Sequence, residues 1–245
     1  MLPVTIEERV GPLLQNNEVK IWHGQVTAED RFYKAYWDVL DDAEKNQANK
    51  MHGVLLHKRY VEIHGRTRQL LAKTLKLAPE KITIRKAAHG KPYLADYPAL
   101  AFNLSHSAEK MMMALAWNCR VGVDIEVIKQ RINVTGLVNK CFGEEEITYW
   151  NQLPGCEKND AFYRFWTRKE AFVKATGNGI VLGLNHCVIN PENPKKFLRI
   201  PSQCGKPSEW HLQDIDLGDG VCSAIVTDKL FTDIKLIALK DEAGI

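Results

Sequence analysis

The hydrophobic pattern of this 245-residue chain predicts an α+β fold in two halves. Apolar residues recur at helical spacing through 52–75, where they include Leu56, Tyr60 and Ile63, and again around 162–173. Between and after these helices lie short alternating or wholly apolar segments, which are typical of strands. Because helices and strands do not alternate regularly, a fold of repeated βαβ units is not expected. Residues 118–120 are the expected junction between the halves.

The elements can be placed in order along the chain. A strand at 19–25 is followed by a helix near 41–52, a long amphipathic helix at 52–75, a strand at 81–87, a loop at 89–98 and a strand at 101–107. The strands 111–117 and 121–128 are separated only by NCR, so we expect them to pair as a hairpin. A helical segment at 134–151 precedes the helix that contains FWTRKEAFVKATG, for which Asp160 and Gly177 are the expected caps. Strands follow at 186–191, 209–217, 220–227 and 234–240.

Composition describes an ordinary globular protein. Hydrophobic residues make up 45% and charged residues 26%, and a net charge of +3 gives no strong attraction to nucleic acid or membrane. No apolar run approaches the ~18 residues of a membrane span, and the start, MLPVTIEERVGPLL, lacks a signal-peptide core. The cysteines are far apart without a C-x-x-C pair, so free thiols and a cytoplasmic location are expected. Basic residues crowd the first half, which indicates either an anionic partner or a solvated helix face.

Two carboxylates fall on one face of the strand VGVDIE, residues 121–126. Because side chains alternate along a strand, Asp124 and Glu126 point one way and Val121, Val123 and Ile125 point the other. Like charges at this range repel unless a cation neutralises them, and Mg²⁺ is often held by carboxylate oxygens together with substrate phosphate. A strand with its polar face in water is the alternative.

Charged residues interrupt the aromatic face of FWTRKEAFVKATG, residues 165–177. The apolar stripe takes in Lys169, and its other members are Phe162, Phe165, Phe172 and Val173. Glu170 and Lys174 stand at i and i+4, which alone indicates only a surface ion pair. Burying Lys169 is costly unless it is paired, although its long stem can reach water. If Glu170 met the carboxylates of VGVDIE, the three would form a hard-cation site flanked by lysines that suit a phosphate ligand.

Two further segments offer polar groups to a ligand. FNLSHS, residues 102–107, places Ser105 and His106 after a strand, and no G-x-S-x-G elbow is present to make a serine nucleophile. We interpret these groups as phosphate or ribose contacts, with a simple capping turn as the alternative. In HGKPYL, residues 89–94, Gly90 allows close approach of a ligand, Lys91 can meet an anion and Pro92 stiffens the turn.

Taken together and in this order, the four motifs resemble the phosphopantetheinyl transferases of the surfactin-synthetase type. The match runs through G-K-P, F-N-L-S-H-S, V-G-V-D-I-E and F-W-T-R-K-E-A-F-V-K, and H-K-R-Y at 57–60 fits the family's first long helix. The resemblance covers residues 40–185. It implies two similar α+β subdomains in one chain, a pseudo-dimer of residues 1–117 and 118–245, with the active site in the cleft between them.

The same resemblance implies a reaction and assigns residues to it. Enzymes of this family move 4′-phosphopantetheine from coenzyme A to a carrier-protein serine and release adenosine 3′,5′-bisphosphate. The implied ligands of Mg²⁺, with Mn²⁺ as an alternative ion, are Asp124, Glu126 and Glu170. The implied catalytic residues are Lys174 at the leaving phosphate and Glu170 as the base, acting directly or through water. The implied coenzyme-binding residues are Arg59, Lys91, Pro92, Ser105, His106, Asp124, Lys169 and Lys174.

The partners follow from the resemblance only in outline. It implies that the segment from Val134 to Phe142 faces the carrier protein, that a monomer suffices, and that neither nucleic acid nor membrane is a partner. The sequence does not fix the carrier or its pathway, and no lysine of LDDAEKNQANK can be assigned to a phosphate. Two alternatives stay open: a metal-dependent nuclease, and a non-catalytic paralogue that binds coenzyme A or a carrier.

Overall fold

A mixed four-stranded sheet forms the base of the first half. The computed structural model describes residues 18–130, 134–231 and 233–240, so the prediction about a signal peptide lies outside the described residues. The strands are β1 Glu18–Gln25, β4 Leu100–Ser107, β5 Lys110–Trp117 and β11 Asp233–Ala238. Their order is β11-β1-β5-β4, with β11 parallel to β1 and the other neighbours antiparallel.

Helices and a short hairpin complete this half. They are α1 Asp30–Asp38, α2 Asp42–Asn49, α3 Val54–Leu75 and the antiparallel pair of β2 Ile84–Lys86 with β3 Pro92–Leu94. Asp41 and Glu44 form a capping box that starts α2, which explains why this polar segment is helical. α3 packs Leu70, Leu71 and Leu75 against the sheet, so the long helix predicted from periodicity is confirmed.

The second half is built on an antiparallel sheet of order β6-β10-β9. Its elements are β6 Val121–Val127, α4 Thr135–Cys141, α5 Glu144–Gln152, α6 Gly155–Thr176, β7 Val188–Ile189, β8 Phe197–Arg199, β9 His211–Asp214 and β10 Val221–Thr227. α6 buries the predicted stripe of Phe162, Phe165 and Phe172, and it ends at Gly177 with φ 75° as predicted. None of the helices in the described ranges is long and apolar enough to cross a bilayer.

Some local predictions are wrong. β5 and β6 do not form a hairpin, because β1 and β4 already occupy both edges of β5, and β6 pairs with β10. Asp160 does not cap α6, since the helix begins at Gly155 directly after Pro154. The segment 89–98 is not wholly a loop, because β3 pairs with β2 across a turn in which Gly90 has φ 85°.

The last strand crosses between the halves. β11 pairs with β1, so residues 233–238 lie in the sheet of the first half although they come last in the chain. A division of the chain at residue 118 therefore assigns β11 to the second half, although the strand lies in the sheet of the first half. The mixed sheets and helices confirm the α+β class, whereas the pseudo-dimer of similar subdomains stays a prediction.

Gly122 allows β6 to lie directly against α6. A Cβ atom here would stand 2.1 Å from the carbonyl oxygen of Ala171 and 2.3 Å from the nitrogen of Ala175, so backbone would have to move. We expect Gly122→Ala to lower the free energy of unfolding by about 2–3 kcal/mol, measured by urea denaturation. Gly136→Ala in α4 is the control, because nothing lies within 4 Å of its added Cβ. Equal stability of the two variants would contradict this close packing.

Candidate active site

β6 presents alternate side chains to two environments, as the sequence predicts. Val121, Val123 and Ile125 join an apolar core shared with β1 and β5. Asp124 and Glu126 lie on the other face. Asp124 is only 3% exposed, so the alternative of a strand with its carboxylates in water is wrong for this residue.

Asp124 is held by contacts from α6 and β4. Its Oδ1 atom accepts hydrogen bonds from Lys174 Nζ at 2.6 Å and from Ser105 Oγ at 2.8 Å. Its Oδ2 atom is buried and has no hydrogen-bond partner in the part of the chain that the structure describes. Burial raises the pKa of Asp124, with Lys174 opposing this effect and Glu126 adding to it. A buried carboxylate oxygen without a partner is costly unless a ligand meets it.

Glu170 adds a third carboxylate to this group. It lies half-buried on α6, and burial raises its pKa, with the negative charges of Asp124 and Glu126 acting in the same direction and Lys174 opposing. The negative charges of Asp124 and Glu126 reach Glu170, and that of Glu126 reaches Asp124, so the three acids form one group. Within residues 18–130, 134–231 and 233–240, however, no three acidic, histidine or cysteine side chains converge with metal-site geometry. Lys174 engages Asp124, and Ser107 donates to Glu126 at 2.6 Å.

Side chains of β4 join the two sheets. Asn103 Oδ1 accepts the backbone N–H of Val123 at 2.8 Å, and the serines two and four residues later accept those of Ile125 and Val127 at 3.3 and 3.2 Å. β4 and β6 are edge strands of their sheets, so these side chains replace a neighbouring strand for β6. The N-x-S-x-S alternation of FNLSHS is the sequence signal for this ladder, and our interpretation as a ligand-binding turn missed it.

The hydroxyl of Ser105 is fully engaged in hydrogen bonds within the protein. Its hydroxyl donates to Asp124 and accepts from the Ile125 N–H and from Lys174 Nζ, the last at 2.8 Å. These contacts use its one donor and both lone pairs. These are the contacts of the free chain, and the predicted phosphate contact of Ser105 stays a prediction. The serine positions Asp124 beside Lys174.

Lys169 faces away from the carboxylate group. It is fully buried, and its ammonium donates to the carbonyls of Leu184 at 3.0 Å and Cys187 at 2.8 Å and pairs with Glu146 at 2.5 Å. Three partners use its three N–H bonds, so the predicted phosphate contact of Lys169 is wrong. Glu146, which the sequence did not single out, also accepts two backbone N–H groups, at 2.7 and 2.8 Å. The pair is therefore a fully satisfied part of the core.

Lys91 ties the β2–β3 hairpin to the second half. Its Nζ donates to the carbonyls of Val121 at 3.0 Å and Ala175 at 2.9 Å, and burial lowers the pKa of Lys91 to about 8. Two of its three N–H bonds are therefore used by backbone carbonyls, and coenzyme binding by Lys91 stays a prediction. Gly90 and Pro92 line a cavity of about 480 Å³ between the hairpin, α2, α3 and β4. Backbone contacts from this turn to a ligand stay predicted.

Arg59 and His106 form a basic group near Lys174. The pKa of His106 is lowered because surrounding protein removes water from the ring and because Lys174, His64 and Arg59 place positive charge around it, with Glu126 opposing. The Nε atom of Arg59 is buried and has no hydrogen-bond partner among the described residues. An anion between these side chains would satisfy both observations.

The segment from Val134 to Phe142 folds as α4 and its flanks. Both end residues are buried in the core of the second half. Thr135, Asn139 and Lys140 are exposed, so the outer face of α4 is polar with a positive charge. Nothing in this geometry tests the predicted carrier contact.

Comparison with known proteins concerns the part of the chain that holds the acidic group. Residues 120–226 match the family model described as the 4′-phosphopantetheinyl transferase superfamily. The matched segment contains Asp124, Glu126, Glu170 and Lys174, whereas Arg59 and His106 lie outside it.

Named relatives extend the similarity beyond residues 120–226. A putative 4′-phosphopantetheinyl transferase of Synechocystis sp. is 33% identical over 156 residues, 63% of this chain and 63% of that protein. The 4′-phosphopantetheinyl transferase HetI of Nostoc sp. is 27% identical over 216 residues, 86% of this chain and 88% of HetI. The 4′-phosphopantetheinyl transferase AcpT of Escherichia coli is 40% identical over 110 residues, 45% of this chain and 55% of AcpT. The chain thus spans less than two thirds of the Synechocystis protein and of AcpT, and most of HetI.

The buried Glu146–Lys169 pair stabilises the second half only while both charges are present. We expect Glu146→Gln to lower the free energy of unfolding by about 3–5 kcal/mol, because it leaves an uncompensated buried ammonium. The double variant Glu146→Gln/Lys169→Met should recover part of this loss, since no charge is then left unpaired. Chemical denaturation measures both.

The matched control is Glu145→Gln. It breaks the exposed pair with Arg199 and should change stability little. A Glu146→Gln variant that is as stable as Glu145→Gln would show that the buried pair is not needed.

Proposed function

We propose that the chain transfers the 4′-phosphopantetheine group of coenzyme A to a serine hydroxyl of an acyl, aryl or peptidyl carrier protein. The observation that carries this proposal is the buried acidic group beside Lys174, within the part of the chain that matches the transferase superfamily. The serine oxygen bonds to the phosphorus that bears the pantetheine arm. The bond from that phosphorus to the bridging oxygen breaks, and adenosine 3′,5′-bisphosphate leaves with the electron pair.

The acidic group fits a divalent cation in its chemistry. Asp124 Oδ2 is buried without a partner, and burial and neighbouring negative charge raise the pKa values of Asp124 and Glu170. A cation would relieve both effects. Asp124, Glu126 and Glu170 would hold Mg²⁺, or Mn²⁺ as an alternative, because hard carboxylate oxygens suit these ions. When bound, the ion would neutralise charge on the pyrophosphate.

Lys174 and Glu170 are the proposed catalytic residues. Asp124 and Ser105 hold Lys174 Nζ at 2.6 and 2.8 Å, which fixes a cation where negative charge develops on the leaving phosphate. Glu170 is half-buried with a raised pKa, which suits a group that accepts the serine proton, directly or through a water. The lysine therefore works on the leaving group and the glutamate on the nucleophile.

The first half is proposed to bind the nucleotide end of coenzyme A. Arg59 supplies positive charge and His106 supplies a ring nitrogen near Lys174, and the turn at Gly90 and Pro92 supplies backbone beside the 480 Å³ cavity. One chain thus provides groups from both halves, as in the surfactin-synthetase type of transferase. This supports a monomeric enzyme. We also propose that it acts in the cytoplasm and has neither nucleic acid nor membrane as a partner.

The carrier protein is proposed to dock on α4. Its exposed residues Thr135, Asn139 and Lys140 offer hydrogen bonds and a positive charge. Such a face suits a polar or acidic partner. Carriers of fatty acid, polyketide and nonribosomal peptide synthesis all present a serine of this kind, and we propose none of these pathways over the others.

Transfer can be measured directly. The purified chain, coenzyme A, Mg²⁺ and a panel of apo carrier proteins should give carriers with one added phosphopantetheine, detected by intact-mass spectrometry. Asp124→Ala and Glu170→Ala should slow transfer by about 100-fold or more, because each removes charge stabilisation at the reacting phosphates. Glu157→Ala, an exposed position at the start of α6, is the control and should keep full activity.

Two negative results differ in meaning. Coenzyme A binding by calorimetry without transfer to any carrier would favour the non-catalytic alternative. Full activity of Glu170→Ala would contradict the assignment of the acidic group.

Cation binding should appear as a stability change that depends on Glu170. The pKa of Glu170 is raised in the folded state, so folding favours its protonated form. This contribution to stability is present at acid pH and is lost as pH rises through the folded-state pKa. Mg²⁺ or Mn²⁺ should therefore raise the Tm of the wild-type protein more near neutral pH than at acid pH. Glu170→Gln should be at least as stable as wild type in EDTA and should lose most of the cation effect. Scanning fluorimetry measures this, and an undiminished cation effect in Glu170→Gln would contradict the site.

A further inference from the structure

A cavity of about 540 Å³ lies along β9, on the side of the second sheet away from the acidic group. β9 is one edge of this sheet, and β6, which bears Asp124 and Glu126, is the other, with β10 between them. The volume is within the range of ligand sites, about 300–1,000 Å³. The proposed function assigns no role to this cavity.

The cavity runs along the free edge of β9. It meets His211, Leu212 and Gln213, and because successive residues of a strand face opposite ways, it must lie beside the strand rather than over one face. The N–H of Ile215 donates to the carbonyl of Ser223 on β10 at 3.0 Å. Backbone groups alternate in direction along a strand, so the N–H and C=O of Leu212 point away from β10. Neither group has a hydrogen-bond partner among the described residues.

Apolar side chains form one wall of the cavity. Leu230, Phe231 and Ile234 come from the start of β11 and the connection before it, and Leu230 is 66% exposed. β11 is the edge strand of the first sheet, and in the part of the chain that the structure describes no hydrogen bond or ion pair joins it to β9. The two sheets are therefore joined at one side by the side chains of β4 and leave an apolar gap at the other.

Two lysines form the charged part of the opposite wall. Lys195 and Lys196 are exposed, and no acid is among the described residues that line the cavity. Neither ammonium has a hydrogen-bond or ion-pair partner within the described ranges. The acids next to lining residues are already engaged: Asp214 with Arg168, Asp233 with Lys235 and Glu209 with the N–H of Lys206. The cavity is thus basic on this side.

The apolar and basic walls belong to different faces of the second sheet. Phe231 and Ile234 pack against the core that β6 and β10 share with the first half. Phe197, which directly follows the two lysines, belongs to the core under α6 on the other face. The side chains of a strand added beside β9 would alternate between these faces. Such a strand would be complementary to both walls if apolar and acidic residues alternated along it.

We infer that an extended segment of another protein, with alternating apolar and acidic side chains, binds along β9 as an added strand. Its backbone pairs with the free groups of Leu212, its apolar side chains fill the gap beside β11, and its acids meet Lys195 and Lys196. A second copy of this chain suits the edge less well, because its own lysines would face those of the first. The inference goes beyond the proposed function and does not depend on transfer.

The probe is a fluorescent peptide that alternates valine and glutamate over about eight residues, which is long enough for one strand. Anisotropy measures its binding to the 245-residue chain in the absence of coenzyme A. Lys195→Glu/Lys196→Glu should weaken binding about tenfold or more, because like charges then face each other. The same variant should bind a valine–lysine peptide that the wild type binds only weakly. Lys73→Glu, which is exposed on α3 and outside the cavity, is the matched control.

Two further comparisons separate strand addition from attraction between charges alone. A valine–glutamate peptide methylated at every backbone nitrogen keeps its charge but has no N–H to donate, so it should bind about tenfold more weakly. Leu230→Ser should also weaken binding of the unmodified peptide, because Leu230 lines the apolar wall. Val181→Ser is its control, since Val181 is 85% exposed and does not line the cavity.

Several results would overturn the inference. Equal binding of the methylated peptide would exclude strand addition, and unchanged binding by Lys195→Glu/Lys196→Glu would exclude the basic wall. Displacement of the peptide by coenzyme A would mean that it binds at the proposed active site. A dimer that the peptide dissociates, seen by analytical ultracentrifugation, would identify a second copy as the occupant. A chain that modifies no carrier would contradict only the proposed function, because peptide binding is measured without coenzyme A.

Discussion

The hydrogen bonds from side chains of β4 to the backbone of β6 are the constraint on which the rest of the site depends. Each strand is the edge of its own sheet, and β6 obtains partners for its N–H groups from alternate side chains of β4. Ser105 and Ser107 also donate to Asp124 and Glu126. The contacts that join the sheets are therefore the same contacts that orient the carboxylates. Loss of the ladder would leave N–H groups of β6 unpaired and release the two carboxylates together.

Two lysines on α6 show how one physical rule gives different roles. A buried ammonium needs acceptors for its three protons. Lys169 finds three within the protein, in Glu146 and two carbonyls, and so belongs to the core. Lys174 has acceptors in Asp124 and Ser105 and stays 28% exposed, so one proton is left for a ligand. The number of satisfied donors, rather than position in the motif, separates the structural lysine from the proposed catalytic one.

Local pattern predicted the long helices and most strands but missed α1 and β8, and it did not predict which strands pair. Periodicity placed α3 and α6, and alternation placed the two faces of β6. The hairpin of β5 and β6 failed because strand pairing depends on which edges are already occupied. The burial of Lys169 followed from its stripe, but its partner did not. Glu146 is one of three successive acids, and only packing of α5 against α6 distinguishes it. The hydrogen bonds of Ser105 to Asp124 and β6 were not predicted either, because a sequence does not show which groups lie across the sheet boundary.

The unpaired groups of the site lie on opposite sides and have opposite charge. Asp124 Oδ2 belongs to the second half, and Arg59 Nε belongs to the first. They do not pair with each other, although a direct ion pair would satisfy both. A ligand that carries phosphates and a divalent cation offers an acceptor to the arginine and a positive charge to the carboxylate. Each half is then complementary to the ligand rather than to the other half. In the free chain both unsatisfied groups lower the stability of the fold until the ligand binds.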